Sequence, residues 1–169
     1  MDQDDIINRY DFTYEGYDEL YGEEQKNKYD LLFSKIKPYG IVADIGCGTG
    51  LLMEYFYDTG LIDKINKYIC LDLSINMLSL SNKRANKFCK DKCLVLWGNA
   101  EYLPFKNKSI DFLFSFSVIN LLDNPENALN EFKRVSNNIF VSYVKKLKQV
   151  NMQGEIIGED YKDLIFKLY

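Results

Sequence analysis

The stretch Asp44-Ile45-Gly46-Cys47-Gly48-Thr49-Gly50 decides the fold of this chain, because three glycines lie between an apolar run and a helical pattern. The apolar run, residues 41–45, is typical of a buried strand, and helical spacing resumes over residues 49–57. Glycines suit such a turn because they adopt positive φ at little cost and let a ligand approach the backbone. The helix start adds free N–H groups. The stretch therefore predicts a ligand-binding strand–loop–helix unit.

The glycine spacing distinguishes between ligands. A dinucleotide-binding loop has the pattern G-x-G-x-x-G, whereas here the third glycine comes one residue early. Asp44 lies two residues before the first glycine, and a carboxylate there suits an ammonium-bearing ligand better than a pyrophosphate. Both features disfavour a nucleotide-dependent oxidoreductase, a class that competition with NAD would test.

Two polar residues after the next strands predict a nucleoside site. Asp72 ends the second apolar run, residues 68–73, where an acid accepts hydrogen bonds from ribose hydroxyls. Asn99 follows a third run, residues 93–97, and its amide offers a donor and an acceptor to an adenine edge. Singly, these are weak signals, since a glycine turn can be mere geometry and a strand-end Asp a helix cap. Their order and spacing together favour ligand binding.

Strand and helix patterns alternate along the rest of the chain. Helical spacing covers residues 23–37, and Ser74 and Asn124 are predicted to cap helices that reach about Phe88 and Val135. Further strands are predicted at residues 110–116, 139–144, 155–157 and 164–168. This alternation indicates one α/β domain whose parallel sheet has both faces covered.

Composition excludes several classes of function. The 169 residues include 25 acidic and 21 basic side chains, a net charge of −4, which does not support direct nucleic-acid binding. A basic cluster is expected to be a solvated helix face; it comprises Lys83, Arg84, Lys87, Lys90 and Lys92. The chain has no histidine and no Cys-x-x-Cys pair among its four cysteines, so no metal site is predicted. The cysteines are expected to be reduced thiols of a cytoplasmic protein without signal peptide or membrane span.

Four stretches resemble the successive motifs of class I S-adenosylmethionine-dependent methyltransferases. They are residues 44–50, Leu71-Asp72-Leu73-Ser74-Ile75-Asn76-Met77-Leu78, Asn99-Ala100-Glu101-Tyr102-Leu103-Pro104-Phe105 and Ser109-Ile110-Asp111-Phe112. The resemblance covers residues 41–144 and is greatest to the group with Leu-Pro-Phe after strand three. The predicted fold is α/β and Rossmann-like: a doubly wound, mostly parallel seven-stranded sheet with helices on both faces and an antiparallel last strand. Residues 1–22 are expected to form a lid-like segment, residues 41–144 the cofactor-binding core and residues 145–169 short C-terminal strands.

The resemblance implies S-adenosylmethionine as cofactor and assigns roles to residues. Asp44 would lie near the ammonium, Asp72 would hold the ribose, Ile75 or Met77 would cover the adenine, and Asn99 with Ala100 would touch its edge. Asn99 stands where the group commonly has Asp. The complete predicted cofactor set is Asp44, Gly46, Cys47, Gly48, Gly50, Asp72, Leu73, Met77, Asn99, Ala100, Ser115 and Tyr17.

No residue stands out as a catalytic base. The segment 114–120 lacks the Asn/Asp-Pro-Pro-Tyr/Phe signature of enzymes that methylate adenine or glutamine amides. Asn120 is expected either to orient a substrate or, more commonly for this residue type, to form a turn. The N-terminal tyrosines would place a ring near the sulfonium or pack on the sheet edge; they are Tyr10, Tyr14, Tyr17 and Tyr21.

The leading hypothesis is thus a methyltransferase with an unidentified acceptor. That acceptor is either a small molecule, which the acidic charge slightly favours, or an RNA or translation-related substrate recognised with a partner protein. The alternative is a non-catalytic scaffold or regulatory partner that keeps the cofactor fold.

Overall fold

A seven-stranded sheet lies at the centre of the molecule, for which a computed structural model describes residues 5, 8, 9, 12–89 and 91–169. The strands are β1 (Gly40–Ile45), β2 (Ile65–Asp72), β3 (Cys93–Trp97), β4 (Phe112–Ser115), β5 (Ile139–Val144), β6 (Gly154–Glu159) and β7 (Asp163–Leu168). Their spatial order is β3-β2-β1-β4-β5-β7-β6. The first five strands pair in parallel, and β7 runs antiparallel to both β5 and β6. The predicted fold class is confirmed.

Helices cover both faces of this sheet. They are α1 (Tyr17–Phe33), α2 (Leu51–Asp58), α3 (Ile75–Phe88) and α4 (Pro125–Val135). The first three bury side chains such as Phe33 and Phe56 in one apolar cluster, whereas α4 buries Phe132 in a second cluster on the other face. Within the described residues, none of the helices is long and apolar enough to cross a membrane.

The connections after β1 create a cleft at the carboxyl ends of the strands. The chain leaves β1 towards β2 on one side, while β4 pairs with β1 on the other, so Asp44 lies between Cys70 and Phe114. The following helices therefore diverge to opposite faces at this edge. Such a topological switch point is the usual ligand site of an open α/β sheet.

The helix predicted at residues 23–37 begins and ends earlier than expected, at Tyr17 and Phe33. Its buried face includes Gln25 and Lys28 beside Tyr29 and Leu32, so the apolar pattern is interrupted by polar residues. Gly22 is tolerated inside the helix. Strand bounds differ less: β2 begins at Ile65 instead of 68, and β4 covers only Phe112–Ser115.

The prediction of four reduced thiols is wrong for two cysteines. Cys89 and Cys93 form a disulfide, with their Cα atoms 5.5 Å apart. The short connection between α3 and β3 brings them together at a separation that a disulfide accommodates. Cys47 and Cys70 are free and buried.

One predicted helix cap differs from the observed contact. Ser74 accepts a hydrogen bond from Met77 N at 3.2 Å, as a capping residue does. Asn124 makes no such bond; its backbone N and its Nδ2 instead donate to Glu101 at 3.0 and 3.2 Å. The side chain of Asn124 is therefore used to hold the loop after β3 against the start of α4.

Candidate functional site

Two adjoining cavities lie at the carboxyl ends of β1, β2 and β4. The larger one comprises about 760 Å³ of empty space, the solvent at its open mouth included, and the smaller one about 320 Å³ on the same measure. They share a wall formed by Tyr17, Gly46, Gly48 and Phe116. The two cavities thus meet at the glycine loop, which contributes to the walls of both.

Most of the predicted site residues line these cavities. Eight of them line the larger cavity: Tyr17, Gly46, Gly48, Asp72, Leu73, Met77, Asn99 and Ala100. Asp44 and Cys47 line the smaller cavity. Residues that are far apart in the sequence are therefore brought to one place, although their roles towards a cofactor stay predictions.

Two residues of the predicted set lie outside both linings. Gly50 has a φ of +87° at the start of α2 and packs against Ser81 and Arg84. Ser115 is fully buried at the end of β4. Of the two residues suggested to cover an adenine, Met77 is buried in the larger cavity wall, whereas Ile75 is 70% exposed.

The glycine loop owes its shape to positive φ angles. Gly46 has φ +74° and Gly48 has φ +55°, values that other residues rarely adopt. A Cβ on Gly46 would overlap the side chain of Val118, so this glycine lets the loop after β4 approach. A Cβ on Gly48 would meet no atom within 4 Å, and Gly48 lines both cavities. The open space beside Gly48 is therefore available to a ligand.

Asp72 fixes the glycine loop to the start of α3. Its Oδ2 accepts a hydrogen bond from Gly48 N at 2.8 Å, and its Oδ1 accepts one from Ser74 N at 2.9 Å. A carboxylate offers about four acceptor positions, so one such group can accept several hydrogen bonds at once. The side chain can therefore organise the loop and also accept from ligand hydroxyls.

Asp44 supplies a buried carboxyl group to the smaller cavity. It is 3% exposed and accepts a hydrogen bond from the Tyr68 hydroxyl at 2.9 Å. Burial raises the pKa of Asp44 to about 7, although the Tyr68 hydrogen bond opposes this effect; the nearby charge of Asp72 adds to it. A bound cation would favour the ionised form, because opposite charges attract strongly where water is excluded.

The loop after β4 is held by a buried polar network that the sequence did not reveal. Ser117, at φ +59°, accepts a hydrogen bond from Lys28 Nζ at 2.8 Å. Lys28 also lies 2.6 Å from Asp163 Oδ2, and both side chains are fully buried. Ser142 completes the support by accepting from Ser117 N at 2.7 Å. No motif marks Lys28 or Asp163, because they come from α1 and β7, outside the stretches that carry the resemblance.

Asn99 and Asn120 have different surroundings. Asn99 lines the larger cavity while its Oδ1 accepts a hydrogen bond from Glu101 N at 2.8 Å. Asn120 is buried and ties its own short turn to β5: its Oδ1 accepts from Val144 N and its Nδ2 donates to Lys148 O, both at 2.9 Å. Both ends of the Asn120 amide are thus bonded within the protein, and whether it also orients a substrate stays a prediction.

The start of α1 lies against the glycine loop. Tyr17 lines both cavities, and its ring centroid is 4.9 Å from that of Tyr21. Asp18 accepts hydrogen bonds from Thr49 Oγ1 at 2.6 Å and from Arg84 at 2.5 Å. The start of α1 is thus held against the glycine loop, and its role as a lid stays a prediction. The Tyr14 hydroxyl donates to Glu15, and Tyr10 lies outside the described residues.

Comparison with known proteins identifies the family. The methyltransferase domain family matches residues 43–138, more than half of the chain, and the chain therefore belongs to it. An uncharacterized protein of Methanocaldococcus jannaschii is 34% identical over 149 residues, which are 83% of this chain and 52% of that protein. The malonyl-[acyl-carrier protein] O-methyltransferase of Hamiltonella defensa is 35% identical over 95 residues, 56% of this chain and 33% of the enzyme. The chain thus spans about half or less of these relatives.

Solved structures share the fold. The protein in complex with the Haloferax volcanii methyltransferase activator Trm112 superposes with a TM-score of 0.66 at 22% identity, over 79% of this chain and 59% of that one. A Thermotoga maritima S-adenosylmethionine-dependent methyltransferase gives a TM-score of 0.63 at 26% identity, over 85% of this chain and 62% of that one.

Proposed function

We propose that this chain binds S-adenosylmethionine across the two cavities and transfers its methyl group to an acceptor. The observation that carries the proposal is Gly48, which lines both cavities and has open space where a Cβ would stand. In this arrangement the adenosine lies in the larger cavity and the methionine part in the smaller one.

The chemistry of the larger cavity suits an adenosine. Its wall is largely aliphatic, with Leu71, Leu73, Met77, Leu121 and Leu122, which suits the flat faces of a purine. Polar groups are few and placed at the edges. Asp72 would accept from the ribose hydroxyls, while Asn99 with the neighbouring backbone would bind the adenine edge.

Methyl transfer requires little acid–base catalysis from the protein. The cofactor, when bound, supplies a methyl group already activated by its positive sulfur, so alignment can provide much of the acceleration. Tyr17 and Phe116 line both cavities where they meet, and aromatic faces stabilise a cation. We assign no general base.

The acceptor is proposed only by class. A small molecule and an RNA or translation-related substrate delivered by a partner protein are the two candidates. A protein partner is supported by Leu94 and Trp97, which lie on the edge strand β3 with 47% and 65% of their surface exposed. The Haloferax volcanii structure, a complex with an activator, supports the same option. The alternative of a non-catalytic scaffold is disfavoured, because a scaffold needs neither the open space at Gly48 nor the carboxylate of Asp72.

Calorimetric titration with S-adenosylmethionine and S-adenosylhomocysteine tests cofactor binding. Asp72→Ala should weaken binding of both ligands by about tenfold or more, since hydrogen bonds to a charged group are worth about 1.5–3 kcal/mol. Asp111→Ala is the matched control: Asp111 also accepts from a backbone amide, Ile41 N at 2.7 Å, but lies outside both cavities. A folded wild type that binds neither ligand would exclude cofactor binding by the chain alone.

A second experiment addresses the acceptor. Labelled methyl groups are offered to small-molecule, RNA and protein fractions, with Asp72→Ala as the blank. Transfer to RNA that weakens steeply with added salt would identify a nucleic-acid acceptor, because phosphate contacts release counterions. Transfer to a small molecule that is insensitive to salt would identify the other class.

A further inference from the structure

Helix α1 contributes an amide to the smaller cavity that the cofactor motifs do not include. Gln25 lines this cavity and is only 4% exposed. Its carbonyl oxygen, Oε1, is buried and has no hydrogen-bond partner among the described residues. Leaving a buried acceptor unpaired is unfavourable. The structure therefore contains an acceptor that gains from a donor on a ligand.

The orientation of this amide follows from the network beneath it. Gln25 Nε2 donates to Ser117 Oγ at 3.4 Å. Ser117 Oγ also accepts from Lys28 Nζ at 2.8 Å and has Asp163 Oδ2, an acceptor, at 3.4 Å. Because the single proton of Ser117 is directed to Asp163, its remaining lone pair receives the NH₂ end of the amide. Oε1 is then the end turned away from Ser117.

The charges around the smaller cavity indicate which kind of hydrogen-bond donor a ligand would place there. Among the residues that line it, Asp44 carries the ionisable carboxyl group and none is a lysine or arginine. The remaining wall includes the rings of Tyr17, Tyr29 and Phe116, whose faces favour cations. Directly beside Asp44 an anionic group would therefore be disfavoured, whereas a primary ammonium offers three donors.

We infer that Gln25 Oε1 and the Asp44 carboxylate form a binding site for a primary ammonium group. The inference rests on the proposed function, because in that arrangement the group is the α-ammonium of the methionine part. Gln25 then acts as a positioning residue: it fixes the amino-acid end of the cofactor and so the direction of the bond from sulfur to methyl. Through Ser117 it also links this end of the cofactor to the loop after β4.

Two ligands that differ in the amino-acid end test the contact between Gln25 and the ammonium group. S-adenosylhomocysteine has the amino-acid end, whereas 5′-methylthioadenosine has the same adenosine without it. Gln25→Met keeps the length of the side chain and removes the acceptor, so it should weaken S-adenosylhomocysteine binding by about tenfold. Binding of 5′-methylthioadenosine should stay within about twofold of wild type, and this second titration also reports that the variant is folded.

Two further variants define the comparison. Gln25→Glu retains an acceptor oxygen, so it should bind S-adenosylhomocysteine more tightly than Gln25→Met does. Asn99→Ala acts at the adenosine end and should weaken both ligands by a similar factor. Titration by calorimetry measures all four proteins.

The outcomes separate the inference from the proposed function. A selective loss for S-adenosylhomocysteine in Gln25→Met, with recovery in Gln25→Glu, supports the ammonium site. Equal effects on the two ligands, or no effect on either, would overturn the role of Gln25 and leave cofactor binding intact. A folded wild type that binds neither ligand would refute the cofactor site itself.

Discussion

At the scale of single residues, Gly48 and Gly60 form a natural pair for testing the site. Both have positive φ, +55° and +73°, and a Cβ on either would meet no atom within 4 Å. Alanine at each should lower the free energy of unfolding by about 1–2 kcal/mol, because both adopt the left-handed conformation. Only Gly48 lines the cavities. Gly48→Ala should therefore lose S-adenosylhomocysteine binding in calorimetry while Gly60→Ala keeps it, and equal binding by the two would contradict this site.

The buried carboxyl group of Asp44 should make the stability of the protein depend on pH. Its pKa is raised from 3.8 to about 7 by burial, so the folded protein holds a proton that the unfolded chain releases. The contribution of Asp44 to stability is therefore present below about pH 4 and is lost as the pH rises to about 7. Asp44→Asn should flatten this part of the profile and exceed wild-type stability at pH 8 by about 1–3 kcal/mol.

Urea unfolding between pH 4 and pH 8 measures the effect. Tyr68→Phe is the informative companion, because it removes a hydrogen bond that lowers the pKa of Asp44. In Tyr68→Phe the loss of stability should extend to higher pH. Parallel profiles for wild type and Asp44→Asn would show that other groups cause the pH dependence.

At the scale of elements, sequence patterns predicted best where one face of an element is purely apolar. The bounds of β3, α4 and β5 agree with those predicted from periodicity and capping residues. The pattern failed for α1, whose buried face carries Gln25 and Lys28. Lys28 is buried because Asp163 on β7 and Ser117 in the loop after β4 satisfy it, and Gln25 reaches the same Ser117 through its Nε2 alone. Periodicity contains no information about such partners.

The candidate site likewise contains residues that the sequence predicts and residues that it does not. Its motif residues follow the ends of β1, β2 and β3, where a parallel sheet must bring them together. Gln25 and Asp163 could not be found because no spacing relates them to the motifs. In the basic cluster, Lys83 and Lys87 are exposed on α3 as expected, and Lys90 lies outside the described residues. Arg84 instead pairs with Asp18 and Glu54, and Lys92 donates to backbone carbonyls near β2.

At the scale of the whole molecule, segments that are distant in the sequence meet beneath the loop after β4. Lys28 on α1 and Asp163 on β7 form a fully buried ion pair, and Lys162 reaches Glu24 at 3.0 Å beside it. A Cβ on Gly158 would come within 2.9 Å of Leu31, which shows how closely β6 packs on the same helix. The hairpin of β6 and β7 therefore packs against α1 and supports the loop after β4, which forms part of the cavity wall.

This arrangement predicts that α1 and β7 lose stability together. Lys28→Met would leave Asp163 buried without its cation, and its Oδ1 already lacks a partner among the described residues. We expect a loss of about 3–5 kcal/mol in the free energy of unfolding, the usual cost of breaking one side of a buried pair. Asp163→Asn should cost less on its own, because Lys28 keeps Glu24 at 3.2 Å.

The double variant Lys28→Met/Asp163→Asn tests whether the two residues stabilise the protein through their ion pair or independently of each other. It removes both charges and keeps an acceptor for the Ser142 hydroxyl, so it should recover about 1–3 kcal/mol relative to Lys28→Met. Lys145→Met is the control, since solvent reaches both members of its ion pair with Glu159, at side-chain exposures of 29% and 63%, and the pair should contribute little. Urea unfolding of the set gives the coupling energy directly. Additive losses would mean that Lys28 and Asp163 stabilise the molecule independently of each other, and the charge link between α1 and β7 would then be excluded.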